Sequence, residues 1–469
     1  MYKIKSQSIN IRRILMLAFI IFYTIALFMK ITDTYNIYVN SCLQITTILC
    51  FISCIIGSDK STLILGGIFL IVGSFLLVIT QSTFDLWLEG IQKTLDVLSV
   101  LIFSRFLAMP FELGPFKSEL AAVINKNVNN NYFFYIMVLI LIILFGGFVN
   151  LAIIPLAFYL IDDILRNNYN DADRLLATII KRGAIFALSW SPFSVIMAVP
   201  LECNNIPWIR ALPYSILYII IGLAISLLFL SLGLERIEKQ KDVKLGKETI
   251  GNFTKNLAIY FAYIMLLLIS IFLLTYLFHF GIIDSIIIIS LFVPFIWVVF
   301  QGKINSYWQV FNKFTQVDLP NMHNNFIIFV SAGVFVIAME RIGLAHVIMP
   351  VFQNLQQVLG YYCVYFLIPL LAILLIGLGL PHFVVLMALS ENIDISLLNV
   401  QPLIFAFLLI VGGTIGILLS PFSATNLMIS SLVKKDVFSV SLKWNYLYSV
   451  LLLIVTISVL VLSVYSKIC

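Results

Sequence analysis

The tetrapeptide Ser191-Pro192-Phe193-Ser194 occurs a second time, unchanged, as Ser420-Pro421-Phe422-Ser423. The copies lie 229 residues apart, close to half of the 469-residue chain, and each lies within a long apolar segment. Proline removes a backbone N–H donor and obstructs a helix, and unpaired backbone groups are costly in hydrocarbon. The repeat therefore predicts a duplicated chain in which each copy holds a helix broken inside a membrane. Such breaks commonly surround a bound solute or ion.

The composition is that of an integral membrane protein. Hydrophobic residues make up 62% of the chain and charged residues 11%, and several apolar runs are long enough to cross ~30 Å of hydrocarbon. The sequence has no HExxH, paired CxxC or P-loop motif, which leaves little basis for a metalloenzyme or a nucleotide-driven pump. Basic cytoplasmic loops account for the net charge of +6. We therefore expect no nucleic-acid partner and no cofactor.

The apolar segments predict an all-α polytopic fold with eleven membrane crossings. The predicted crossings are 14–30, 42–57, 62–80, 85–108, 174–204, 211–234, 257–279, 282–300, 326–348, 402–432 and 444–466. The crossings 174–204 and 402–432 contain the two Ser-Pro-Phe-Ser copies and are predicted to be broken helices.

Two further apolar blocks, 132–164 and 358–391, have the wrong length for a crossing. The first would run about 50 Å as one straight helix, yet two full spans could not be cut from it. We therefore predict two re-entrant hairpins, each entering and leaving on one side of the membrane, with glycines permitting the tight bends. The predicted tips are 146–150, with Gly146, Gly147 and Asn150, and 377–382, with Gly379, Pro381 and His382.

The distribution of basic residues predicts the sidedness. If the first hairpin opens to the cytoplasm and the second opens outward, 23 of the 28 Lys and Arg residues fall on the inner side. That count places the four basic residues of 165–182 on the inner side. The amino terminus is then cytoplasmic and the carboxyl terminus external, in the cell (inner) membrane.

The order of span, hairpin, broken helix and span occurs in each half of the chain, with hairpins from opposite faces, which predicts an inverted repeat. The predicted division is a leading helix 1–40, a first repeat 41–234, a cytoplasmic connector 235–256 and a second repeat 257–469.

The two tips and two breaks are predicted to meet near the bilayer midplane. Helix amino ends there would favour an anion, and freed carbonyls with Ser, Thr or Asn oxygens would suit sodium. A single Ser-Pro is more often a simple kink, but two copies at matched positions favour binding. The candidate binding residues are Gly146, Gly147, Asn150, Ser191, Pro192, Ser194, Gly379, Pro381, His382, Ser420, Pro421, Ser423, Thr425 and Asn426.

Coupling to sodium is favoured over coupling to protons. No Asp or Glu is predicted at the midplane, where proton-coupled carriers generally keep a carboxylate. His382 is the titratable side chain at a predicted break, so proton coupling through histidine stays open.

The layout resembles the ion transporter superfamily, and within it most nearly the divalent anion/sodium symporter branch and its citrate and arsenite-permease relatives. The resemblance rests on eleven crossings, one extra leading helix, opposed hairpins and helices broken at mid-depth. It implies an elevator-type transporter, commonly dimeric, with hairpin tips at 146–150 and 377–382 and unwound loops at 191–194 and 420–426. The branch normally carries Ser-Asn-Thr at both tips, whereas this chain reads Gly-Gly-Phe-Val-Asn and Gly-Leu-Pro-His.

We therefore expect a non-enzymatic secondary transporter, a homodimer by resemblance, that moves a small anionic solute with sodium. An oxyanion efflux permease or a cation/proton antiporter is the alternative within transport, and dependence on His382 would indicate it. A membrane enzyme or polymer flippase is the alternative of another class.

Overall fold

The computed structural model describes residues 2–34, 36–114, 131–168, 171–232 and 253–465, and within these ranges the chain is helical, with no β-strand. The helices before residue 250 are α1 (Tyr2–Ile31), α2 (Ile37–Ile55), α3 (Lys60–Ile79), α4 (Phe84–Lys93), α5 (Leu95–Glu112), α6 (Asn131–Val149), α7 (Ile153–Asn168), α8 (Ala172–Trp190), α9 (Val195–Cys203) and α10 (Trp208–Ser231). Those after it are α11 (Phe253–Phe272), α12 (Ile282–Phe300), α13 (Ile304–Lys313), α14 (Leu319–Asn321), α15 (His323–Ile342), α16 (Leu344–Leu359), α17 (Cys363–Gly377), α18 (His382–Asn392), α19 (Ile395–Leu398), α20 (Pro402–Leu419), α21 (Ala424–Val433) and α22 (Tyr446–Tyr465).

The described chain contains 12 segments that are long and apolar enough to cross a membrane. They correspond to the eleven predicted crossings and to the block of the first predicted hairpin, Tyr132–Arg166. The predicted class, a polytopic helical membrane protein, is confirmed. Most of the predicted connector 235–256 lies outside the described residues.

The chain divides into two compact units, and each predicted repeat contributes to both. The first unit comprises Met1–Leu113 and Ile283–Ile348. The second comprises Gly114–Ile282 and Met349–Cys469, and it contains both hairpins and both broken helices.

Within the first unit, glycines bring α15 close to α3 and α4. A methyl group added at Gly73 would lie 2.9 Å from the Phe335 Cα, and one at Gly333 would lie 2.2 Å from the Gly90 carbonyl oxygen. Helices in a membrane associate through such close backbone approaches, because lipid offers no hydrophobic driving force between them.

Two crossings of the first unit differ from the prediction: one is divided into two helices, and the other ends earlier. The segment 85–108 is divided at Thr94 into α4 and α5, and the Thr94 hydroxyl donates to the Phe329 carbonyl (2.6 Å). The segment 326–348 ends at Ile342, because Gly343 adopts a left-handed φ of +73° that terminates α15. The separate helix α16 follows. It includes residues 358–359, which were predicted to belong to the second hairpin.

Both hairpins lie in the second unit. In the first, α6 and α7 are joined by a 3₁₀ turn, Asn150–Ala152, and Gly146 of α6 lies beside Ile153 of α7, so the chain reverses there. In the second, α17 and α18 are joined through Gly379, whose φ is +99°. The arms of the second hairpin are about 22 and 16 Å long, too short to cross the membrane.

The predicted tip of the first hairpin needs a correction. Gly146 and Gly147 are helical residues of α6, and the bend begins at Asn150, whose φ is +56°. The two glycines permit close packing instead, since a methyl group at Gly146 would lie 2.9 Å from the Ala187 Cβ.

The two broken helices pack reciprocally. The first half of each contacts the second half of the other, α8 with α21 and α20 with α9. The return arm of each hairpin also contacts the second half of the broken helix from the other copy: α7 contacts α21, and α18 contacts α9. This is the packing expected of an inverted repeat.

Candidate functional site

The first break lies between α8 and α9, and its serines replace the hydrogen bonds that Pro192 removes. The Ser194 Oγ accepts from the Met197 N–H (3.2 Å) and so caps α9, while it donates to the Leu188 carbonyl. Serine is a favoured residue at this capping position. The interruption is therefore a stable local structure.

The tip region of the first hairpin is fastened to this break. The Ser191 hydroxyl donates to the Gly147 carbonyl, and the Trp190 indole donates to the Ile143 carbonyl (3.0 Å). A methyl group at Gly147 would lie 3.0 Å from the Ser191 Cβ. The predicted neighbours 147 and 191 therefore lie in contact.

Aromatic side chains seal the first break. Phe148 lies 5.8 Å from the Trp190 ring and 5.6 Å from the Phe193 ring, measured between ring centroids. Ser191, Pro192, Phe193 and Ser194 are all buried. The first break therefore presents little polar surface.

The second break, between α20 and α21, follows the same plan. The Ser423 Oγ accepts from the Asn426 N–H (3.4 Å), as the cap of α21, and the Ser420 Oγ accepts from the Phe422 N–H (3.3 Å). A methyl group at Gly379 would lie 3.2 Å from the Phe422 ring. The second hairpin tip thus adjoins the second break.

Asn426 is the most informative residue of the second break. It is fully buried, and its Nδ2 donates to the carbonyls of Ile417 (3.0 Å) and Ser420 (2.6 Å). These donations fix the amide orientation, and the Oδ1 accepts no hydrogen bond from the described residues. A buried acceptor normally has a partner, so this oxygen is suited to a cation or a ligand donor.

The second break is more open than the first. The Phe422 side chain is 61% exposed, Ala424 is exposed and Ser423 is half-buried. Thr425 and Asn426 were predicted to lie in the unwound loop. The loop ends at Ser423, and both residues lie in the first turn of α21. The equivalent positions of the first copy, 229 residues earlier, are Ile196 and Met197. Polar oxygens are therefore concentrated in the second copy.

Two predicted tip residues have side chains without hydrogen bonds to the described chain. Asn150 is half-buried at the bend of the first hairpin. His382 begins α18 after Pro381 and is also half-buried, with its ring 6.0 Å from the Phe383 ring. Both side chains are therefore free to meet a ligand.

Contacts also join the two copies. The Tyr218 hydroxyl lies 3.0 Å from the Thr414 hydroxyl, and a methyl group at Gly413 would lie 3.2 Å from Leu386 and 3.6 Å from Ile196. The second hairpin therefore packs with both broken helices.

Sequence reasoning missed two buried cations, Lys181 and Arg182. Both were counted with the basic residues of the cytoplasmic side, inside the predicted broken helix 174–204, but both are fully buried in α8. The Lys181 Nζ donates to the Val440 carbonyl (3.0 Å), and Arg182 stacks 3.9 Å from the Tyr448 ring centroid. Such stacking stabilises a desolvated guanidinium. The signal available was the apolar helical pattern around the pair.

No protein-family model matches this chain, and no curated protein matches it. Among solved structures, the chain is similar to the YdaH transporter of Alcanivorax borkumensis, with a TM-score of 0.57 and 13% sequence identity. The match covers 86% of this chain and 98% of that one. The chain therefore has the fold of a membrane transporter, while its place in a branch of the ion transporter superfamily stays a prediction.

Proposed function

We propose that this integral membrane protein is a secondary active transporter that moves a small anionic solute together with sodium. The observation that carries the proposal is the buried Oδ1 of Asn426, which lacks a donor among the described residues at a broken helix. The transporter fold supports transport, and this oxygen supports sodium as the coupling ion.

The sodium ion would be held by neutral oxygens of the second break. Ser423 and Thr425 have hydroxyls 3.1 Å apart, next to Asn426 in sequence. The first copy has Ile196 and Met197 where the second has Thr425 and Asn426, so it lacks these ligands. We therefore assign the ion to the second copy alone.

The anion would lie where helix amino ends converge. The second tip packs on Phe422 through Gly379; α18 starts three residues after this glycine, and α21 starts two residues after Phe422. Unpaired N–H groups at helix amino ends attract negative charge. The half-buried imidazole of His382 would add a donor.

An elevator-type movement is the proposed mechanism. Its support is the presence of two separately compact units, one of which holds both hairpins and both breaks. We further propose the orientation given by the basic residues and a homodimeric assembly.

A proton-coupled carrier, such as an oxyanion efflux permease or a cation/proton antiporter, is the second candidate. The observation that favours it is His382, whose ring makes no hydrogen bond to the described chain. If protons and not sodium were the coupling ion, transport activity would depend on this imidazole ring.

Thermal stability of the purified protein across a panel of small anions tests the proposal. We expect at least one anion to raise the melting temperature in sodium and not in choline, because ligands that bind the folded state stabilise it by mass action. The His382→Gln variant should keep the sodium requirement. An anion effect that is equal in choline, tracks pH and vanishes in His382→Gln would replace sodium coupling by proton coupling.

A further inference from the structure

Helix α13 is an amphipathic helix of the first unit. It follows the candidate span Ile282–Phe300 after a turn at Gly302, whose φ is +66°. One of its faces carries apolar side chains, including Trp308, and the other carries Asn and Gln. Amphipathic helices with interfacial aromatic residues lie in the plane of the membrane surface.

An apolar groove opens beside this helix. It has a volume of about 160 Å³ and is lined by side chains of α5, α12 and α13, among them Phe106, Leu291 and Phe295. Leu291 lies nine residues before the end of α12 at Phe300, so the groove descends about 14 Å along α12. Phe295 is 44% exposed, which leaves the groove open beside its ring. Its depth and lining suit a lipid acyl chain.

A polar group also faces this groove. Tyr307 lines it, is 7% exposed, and its hydroxyl makes no hydrogen bond to the described residues. Burial raises the pKa of the Tyr307 phenol to about 12, so the hydroxyl remains a donor. A hydroxyl donor at an otherwise apolar groove is suited to an acceptor at the head of an acyl chain.

The charge around the groove is positive. Residues 303–317 include Lys303 and Lys313 and no Asp or Glu. The neighbouring carboxylates of Glu112 and Asp318 are engaged by Arg105, at 2.8 and 3.4 Å. Lys313 is exposed, and Lys303 makes only a long hydrogen bond of 3.4 Å to the Leu113 carbonyl. Basic residues at a membrane surface attract anionic headgroups.

We propose that this groove binds one anionic phospholipid. An acyl chain would lie along α12, the Tyr307 hydroxyl would donate to an ester oxygen, and Lys303 and Lys313, at the two ends of α13, would attract the anionic headgroup. This site lies in the first unit and does not depend on the proposed transport function.

The test is a lipid titration of the thermal stability of the delipidated protein in mild detergent. Dioleoylphosphatidylglycerol should stabilise it at lower concentration than dioleoylphosphatidylcholine. The Lys303→Gln/Lys313→Gln variant should raise the half-saturating phosphatidylglycerol concentration about thirtyfold, since each basic residue near a membrane surface contributes roughly fivefold. The Lys60→Gln variant, which removes an exposed lysine of the first unit elsewhere, should behave as wild type.

A second variant separates the groove from the charges. Leu291→Trp fills the groove and should abolish the stabilisation by phosphatidylglycerol while leaving both lysines in place. Equal effects of the two lipids on the wild type, an unchanged titration in the double variant, or equal stabilisation by glycerol phosphate alone would overturn the proposal.

Discussion

The Asn426→Ala variant is expected to lose its sodium dependence over the concentration range in which the wild type responds. The side chain supplies the buried Oδ1 that no described residue satisfies, so its removal deletes a proposed ion ligand. Loss of a residue that only hydrogen-bonds to a metal ligand typically lowers metal affinity by 10–100-fold. Loss of a ligand itself should cost at least as much, so we expect the apparent sodium affinity to fall by roughly a hundredfold or more. The measurement is the sodium concentration that half-maximally raises the melting temperature of the purified protein.

Asn445 offers a matched control. It is also fully buried, its Nδ2 also donates to a backbone carbonyl, that of Val440 (2.9 Å), and its Oδ1 also lacks a partner among the described residues. It lies outside both breaks, however, so Asn445→Ala should reduce stability by about 1–3 kcal/mol without changing the sodium titration. Equal losses of sodium response in the two variants would mean that Asn426 acts through folding alone.

The Gly222→Ala variant is expected to destabilise the second unit strongly. A methyl group at Gly222 of α10 would lie 1.9 Å from the Phe186 Cζ of α8. Phe186 is fully buried, and its ring packs edge-on against Tyr218 at 5.3 Å, so it has little room to move. Overpacking of this kind costs about 1–3 kcal/mol or more. The measurement is the melting temperature together with the monodisperse fraction after purification.

Two companion variants make this prediction specific. Gly377→Ala adds a methyl group with no atom within 4 Å and should leave stability almost unchanged. Phe186→Leu should restore part of the stability lost in Gly222→Ala, since contacting residues are energetically coupled. If Gly222→Ala proves as stable as Gly377→Ala, α8 and α10 do not approach as closely as described.

The breaks were predictable because their cause is local. Pro192 and Pro421 interrupt their helices whatever the tertiary contacts of the surrounding chain, and the nearby serines are favoured helix caps. The greater number of polar oxygens in the second copy is also local, since Thr425 and Asn426 stand where the first copy has apolar residues.

The first hairpin bend was misplaced because glycine has two uses. Gly146 and Gly147 are small so that α6 can approach α8, whereas Asn150 supplies the left-handed bend. A sequence shows the residue type, not which of its two properties is used.

Lys181 and Arg182 could not be placed because their partners are distant in the chain. Val440, which accepts from Lys181, and Tyr448, which stacks on Arg182, lie more than 250 residues later. The grouping of 1–113 with 283–348 in one unit is likewise a tertiary property, which division into sequential halves does not reveal.

Equilibrium binding of radioactive sodium to the purified protein tests the central claim most directly, because it requires no knowledge of the solute. We expect one sodium ion per chain in the wild type, no saturable binding in Asn426→Ala, and unchanged binding in Met197→Ala, its first-copy counterpart. Two ions per chain, or saturable binding that survives Asn426→Ala, would contradict a single sodium site at the second broken helix.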